Sequence, residues 1–276
     1  MNKKEVSFTH ENGTIDGIYW NAGPDSPLII VINGHNGFYN YGMFPYLQET
    51  LAVNNISSYS FNFSHGGIKG GADYFEDLIN YEKNCMRLEV EDVMGILRNL
   101  HSGKFEEHET LVLLAHSLGG VPLIFSAKKA REENIHIDGV VLVSTVKQLN
   151  FWPSEMIDEW QRDKVYYKKN NRTKQLLPQG KEFLDEVLQS VSEWNVKDGI
   201  TGLTMPMLIL HGENDEAIPE EHGRSLFEWA KPLNKRSLLK IIPQATHTYN
   251  TKHPFEGSTP QLDEMINVVV MFVETM

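Results

Sequence analysis

Short apolar runs recur along this chain, with amphipathic stretches between them. Leu28–Ile32, residues 110–115, Gly139–Val143 and residues 207–210 are too brief for helices and read as strands, the first two buried, while residues 56–63 (ISSYSFNF) and the β-rich run Leu238–Ile242 read as two more. Between them, Met86, Val90, Val93, Leu97 and Leu100 recur at steps of three and four, which predicts a crossover helix within residues 84–100. Further helices are expected at residues 43–53, 122–131, 220–230 and 261–273. Near the start, residues 6–10 and 14–20 flank the turn-forming Glu11-Asn12-Gly13, which predicts an antiparallel hairpin at a sheet edge. Strands alternating with helices predict an α/β fold, a mostly parallel central sheet with helices on both faces.

The rhythm stops between residues 145 and 202. Phe151, Trp152, Trp160, Tyr166, Tyr167 and Trp194 are scattered there among charges at helical spacing, with no clear buried strand. The expectation is an inserted helical cap over residues 145–202, with a core built from residues 1–144 and 203–276. Aromatic side chains bury large areas, so Trp152, Trp160, Tyr166 and Tyr167 are candidates for a lid that contacts substrate, against the plainer role of packing the cap itself. Residues 162–174 are locally basic, which fits an anion-attracting surface or, more plainly, a solvated helix face.

Composition narrows the partners. With 276 residues, 41% hydrophobic and 22% charged, the chain can build one large α/β domain. A net charge of -12 argues against nucleic acid and anionic membranes, because binding phosphates needs a basic face. Small molecules are the expected partners. Cys85 is the only cysteine, so no intrachain disulfide can form. The first residues lack the apolar segment of a secretory signal, and runs such as residues 268–273 are too short to span a bilayer. A cytoplasmic protein is the expectation.

The chemistry centres on residues 110–120, TLVLLAHSLGG. A strand that runs through a small-residue turn around a serine straight into a helix is a nucleophile elbow, written here A-x-S-x-G with Ser117 at its tip. The flanking Ala115 and Gly119 must be small so that strand and helix can approach. An acid and a histidine are then needed in loops after later strands. Residues 211–215, HGEND, follow the strand at 207–210 and offer Glu213 and Asp215; the same residues with His211 could be read as metal ligands, but no supporting ligand spacing exists elsewhere. His247 follows the strand Leu238–Ile242, with His253 as the fallback. Residues 33–38, NGHNGF, form a glycine-bearing loop after the first buried strand, in the position that supplies an oxyanion donor. His65, after the strand at 56–63, also faces the carboxyl edge and is read as a loop-capping residue.

Taken together, AHSLGG, HGENDEAIP at residues 211–219, ATHTY at 245–249 and NGHNG at 33–37 resemble the α/β-hydrolase superfamily over nearly the whole chain, nearest its bacterial carboxylesterase and dienelactone-hydrolase-like branch. That resemblance implies Ser117 as nucleophile, His247 as general base and Asp215, in preference to Glu213, as the orienting acid. It also implies the backbone amides of His35 and Leu118 as an oxyanion hole. Two positions depart from the usual pattern: Ala115 stands for glycine, and Asn33 for the histidine of a His-Gly pair. The implied activity is a serine hydrolase that cleaves small carboxylic esters through an acyl-enzyme, with no metal or organic cofactor. The alternatives are a peptidase, thioesterase or acyltransferase of the same fold, or a ligand-binding member without turnover.

Overall fold

Eight strands form one sheet in the computed structural model, which describes residues 2–276. The chain opens with the hairpin β1 (Asn2–His10) and β2 (Gly13–Asn21), antiparallel to each other and reversed at Gly13, whose φ of +146° suits glycine. There follow β3 (Leu28–Ile32), α1 (Phe44–Val53), β4 (Ser57–Asn62), α2 (Leu78–Lys83), α3 (Met86–Arg98) and β5 (Leu111–His116). A single 3₁₀ turn, Ser117–Gly119, leads into α4 (Gly120–Glu132), and then comes β6 (Gly139–Val143). After the inserted stretch the chain resumes with β9 (Met207–Gly212), α8 (Glu221–Ala230), β10 (Leu238–Ile242) and α9 (Pro260–Val273).

The spatial order is β1-β2-β4-β3-β5-β6-β9-β10, with every neighbouring pair from β4 to β10 parallel. Side chains alternate across a strand, and the alternation sorts the core into two layers. Ile30, Ile32, Leu113, Ala115, Leu142 and Ile209 pack on one face with α3, α4 and α8. Ile29, Val31, Val112, Leu114, Val141 and Leu210 pack on the other with α1 and α9. From β3 the chain moves outward to β4 and then returns to β5 on the opposite side. The carboxyl ends of β3 and β5 therefore flank a topological switch point, where open α/β sheets place their ligands.

The stretch 145–202 is not wholly helical. It holds α5 (Ser154–Asp163), an antiparallel ribbon of β7 (Tyr166–Lys169) and β8 (Leu176–Gln179), α6 (Lys181–Leu188) and α7 (Val196–Thr201). The ribbon escaped the sequence pattern because β7 lies largely in solvent and has no apolar face to display. The helix expected over residues 84–100 is α3 alone, preceded by the short α2, which starts where Asp77 accepts the Asn80 amide at 3.1 Å. No helix among the described residues is long and apolar enough to cross a membrane.

Candidate active site

Ser117 occupies the turn between β5 and α4 with φ at +57°, a left-handed backbone that costs a non-glycine residue about 1–3 kcal/mol and survives only where the surroundings impose it. Those surroundings are tight. A Cβ on Gly119 would lie 2.3 Å from the Asn33 carbonyl oxygen, and one on Gly34 would lie 2.8 Å from Ser117 Cβ. Gly120 faces the same limit, 2.1 Å from Thr145 Cγ2. Gly34 and Gly119 let the β3 loop and the serine turn meet, and Gly120 lets the first turn of α4 approach the chain after β6.

His247 comes from the loop after β10. Its Nε2 is 3.0 Å from Ser117 Oγ, and its Nδ1 is 2.8 Å from Asp215 Oδ2 and 3.0 Å from Oδ1. Asp215, from the loop after β9, also accepts the amides of Ala217 at 3.0 Å and Ile218 at 2.8 Å. Burial alone would push this carboxyl up; the hydrogen bond and charge of His247 and the Ile218 amide outweigh it and hold the group below the usual carboxylate range. An ionised acid therefore faces Nδ1, which leaves Nε2 free to accept from the serine hydroxyl.

Two further histidines hold this arrangement. His116 donates from Nε2 to the His247 carbonyl at 2.9 Å, and its ring lies 4.7 Å from the His247 ring. Burial pushes His116 down to about 3, so it stays neutral. His211 is fully buried and donates from Nε2 to the Ile218 carbonyl at 2.8 Å, fixing the loop that presents Asp215. Burial lowers His211 as well. Its ring is thus committed to a carbonyl, and no cluster of metal-ligating side chains exists among the described residues. The sequence did not mark His116 as part of the site, and it offered His211 only as a metal ligand.

The other sequence candidates fall as follows. Glu213 is exposed and accepts the Gln244 amide at 3.0 Å, tying two loops together away from His247. His253 accepts the Gly42 amide at 3.0 Å and stacks on Tyr41, 4.9 Å between rings, so it is not the partner of Ser117. His65 meets Ser64 Oγ at 2.9 Å, which in turn donates to Asp92, as a loop cap would. The backbone of His35 lies in the tight turn closed by the Gly37 amide on the Gly34 carbonyl at 2.9 Å, and Leu118 follows the serine in the first turn toward α4. Amides at a helix start, such as that of Leu118, have no partner within the helix. Asn33 donates to the Phe61 carbonyl at 2.6 Å, so an asparagine serves to pin the β3 loop to β4.

Ser117, His247 and His116 share a cleft of about 260 Å³ with Gly34, His35, Tyr41 and Phe44. Trp152, Trp160, Tyr166 and Tyr167 are not among its lining residues, which corrects the expectation of an aromatic lid. Trp160 is fully buried, donates to the Gly180 carbonyl at 3.2 Å and lies within about 6 Å of the Trp152, Tyr166 and Phe183 rings, so these rings pack against one another and into the main hydrophobic core. Tyr167 points outward, 60% exposed. What overhangs the cleft is the polar turn of the β7–β8 ribbon, Asn170, Asn171 and Arg172.

No protein-family model matches this sequence. The human protein ABHD12B is 30% identical over 146 residues, a match that covers 51% of this chain but only 37% of that relative's length. Among solved structures, the alpha/beta hydrolase GrgF from Penicillium sp. sh18 superposes with a TM-score of 0.75 at 14% identity, covering 100% of this chain and 99% of that one. The Pyrococcus furiosus esterase Pf2001 superposes with a TM-score of 0.63 at 17% identity, covering 99% and 90%. The chain has the α/β-hydrolase fold.

Proposed function

We propose that this chain is a serine hydrolase of small carboxylic esters, with Ser117 as nucleophile, His247 as general base and Asp215 as the acid that orients it. One observation carries the reading: an unbroken line of hydrogen bonds from Ser117 Oγ through His247 to Asp215, on loops at the carboxyl edge of the parallel sheet, with Ser117 beside its switch point. An esterase among the fold neighbours supports the substrate class.

The chemistry follows from the donors and acceptors. As Ser117 Oγ attacks the ester carbonyl carbon, its proton passes to His247 Nε2, and Asp215 steadies the charged imidazole through Nδ1. The carbonyl oxygen becomes an oxyanion facing the His35 and Leu118 amides, which need no reorganisation to receive it. His247 then returns the proton to the departing alkoxide as the carbon–oxygen bond breaks, leaving an acyl-serine. Water, deprotonated by the same histidine, attacks the acyl carbon and releases the acid and the free serine. Neutral His116 contributes by holding the His247 backbone without adding a second charge beside the imidazolium.

The test is release of p-nitrophenol from short-chain acyl esters. Wild type should turn these over, and Ser117→Ala should lower kcat by about 10⁴-fold or more while leaving the thermal midpoint nearly unchanged, because the covalent route is gone. Wild-type turnover in the alanine variant would remove Ser117 from its role.

A further inference from the structure

The turn of the β7–β8 ribbon is a rigid structure. Asn170 accepts the Arg172 and Thr173 amides through its side chain, each at 3.0 Å. Gln175 pairs with the backbone of Phe75 in both directions, accepting its amide at 3.0 Å and donating to its carbonyl at 2.7 Å, as a strand neighbour would. At the ribbon's far end the Gln179 side-chain nitrogen lies 2.9 Å from His35 Nε2, and burial keeps that ring neutral by pushing it down to about 3, so it can accept. The ribbon is therefore fastened to the core on both sides of its turn.

Arg172 projects from this turn against the cleft that holds Ser117 and His247. Its guanidinium lies over the Phe38 ring, 4.9 Å from the centroid, which fixes the plane of the group. One terminal nitrogen, Nη2, is shielded from solvent and meets no hydrogen-bond acceptor among the described residues. Burial lowers the affinity of the guanidinium for its proton, against the opposing influence of Asp73 and Tyr41, yet an arginine remains charged. Arg172 also borders a neighbouring cleft that holds Asp73, Tyr74 and Pro254, but Asp73 makes no ion pair with it among the described residues. A charged side chain, half-buried, with one shielded and unsatisfied donor nitrogen and held in place at the cleft of Ser117, is a recognition group waiting for an acceptor.

The charge pattern points to the kind of acceptor. Residues 164–181 carry six basic side chains and no acidic one, in a chain whose net charge is -12. The positive charge is concentrated in the one element that overhangs the cleft. A planar guanidinium fork matches a carboxylate geometrically, through two parallel N–H bonds. The cleft's small volume, about 260 Å³, favours a compact anion over a bulky one.

We propose that Arg172 binds a carboxylate on the substrate, so that the ester accepted here is a hemi-ester: one acyl carbon at Ser117 and a second, ionised carboxyl at Arg172. The proposal rests on the reading of Ser117 as nucleophile and names the substrate class for that same site. The local run of basic residues in the sequence is thus divided by the structure: Arg172 faces the cleft, while Lys169 and Lys174 stand in solvent.

Two measurements test it. The first compares kcat/KM for mono-p-nitrophenyl glutarate and for p-nitrophenyl pentanoate, which differ in the terminal carboxylate. Wild type should favour the glutarate, Arg172→Gln should reduce that preference by about tenfold or more, and Arg172→Lys should restore part of it, as a point charge without the fork. An unchanged ratio in a folded Arg172→Gln protein overturns the proposal. The second measures glutarate binding by calorimetry on the Ser117→Ala background, with and without Arg172→Gln. Binding should weaken by about tenfold when the guanidinium is lost, and equal binding overturns the proposal independently of turnover. If no ester is cleaved at all, the reading of Ser117 fails, and the calorimetric pair still decides whether Arg172 holds a carboxylate.

Discussion

Two acidic residues two positions apart in the chain have been given different work by the side chains that reach them. Asp215 receives His247 and two backbone amides, whereas Glu213 stands in solvent and receives the Gln244 amide. Asp215→Asn places an amide where an acceptor pair stood and favours the wrong tautomer of His247, so kcat should fall by about 10³–10⁴-fold. Glu213→Gln should leave kcat within about threefold, as surface changes usually do. Steady-state kinetics on short esters separates the two, and the reverse order would transfer the orienting role to Glu213. Ser117 was legible because the demands of its turn are local: a short strand, small neighbours and a helix start all lie within a few residues. His116 was not, because its work is a bond to the carbonyl of a residue 131 positions away. Arg172 was visible only as one cation in a basic run, since its placement at the cleft depends on Phe38 and on the fastening at Phe75.

At the scale of elements, strands buried on both faces announced themselves as apolar runs, and Leu28–Ile32 and Gly139–Val143 fall where the pattern put them, as does the half-exposed edge strand Leu238–Ile242. The β7–β8 ribbon did not, because β7 is solvated and β8, though buried at Leu177–Gln179, is only four residues long and carries a proline and a glutamine among its buried positions, so neither shows a hydrophobic period. The joint between α6 and α3 was equally hidden. Glu186 on α6 accepts the Met86 amide at 2.5 Å and the Arg87 amide at 3.0 Å, capping α3 across the boundary between the inserted stretch and the core. Burial, partly offset by those amides, pushes its carboxyl up from 4.5 to about 7. The folded chain therefore binds more protons than the unfolded chain between those values, so this group's contribution to stability declines as pH rises through the window. Glu186→Gln cannot titrate. Relative to that variant, wild type should lose up to about 3 kcal/mol between about pH 4.5 and about pH 8, read by urea unfolding of both proteins. A constant difference across that range would show that the buried carboxyl does not titrate with folding.

For the molecule as a whole, the question is whether the inserted stretch is a separate flap or part of one folding unit. The hydrophobic core answers it. Trp160, Phe183, Val187 and Val196 belong to the same continuous cluster as Ile30, Leu113 and Val121, and α7 lies so near α4 that a Cβ on Gly199 would be 2.7 Å from Ile124 Cγ2. Such packing predicts a single cooperative transition, because neither part keeps its buried face without the other. Trp160 is the sharpest probe, being fully buried and at the centre of the inserted aromatics. Trp160→Ala should lower the stability of the entire chain by about 3–5 kcal/mol, with tryptophan fluorescence and far-ultraviolet circular dichroism reporting the same midpoint. Because the ring does not line the cleft, the ratio of kcat/KM for acetyl and cinnamoyl esters should stay within about twofold of wild type at temperatures where the variant is folded. Two separated transitions would make the inserted stretch an independent unit. A changed ester ratio would return the buried tryptophan to substrate selection, and with it the aromatic lid that the sequence suggested.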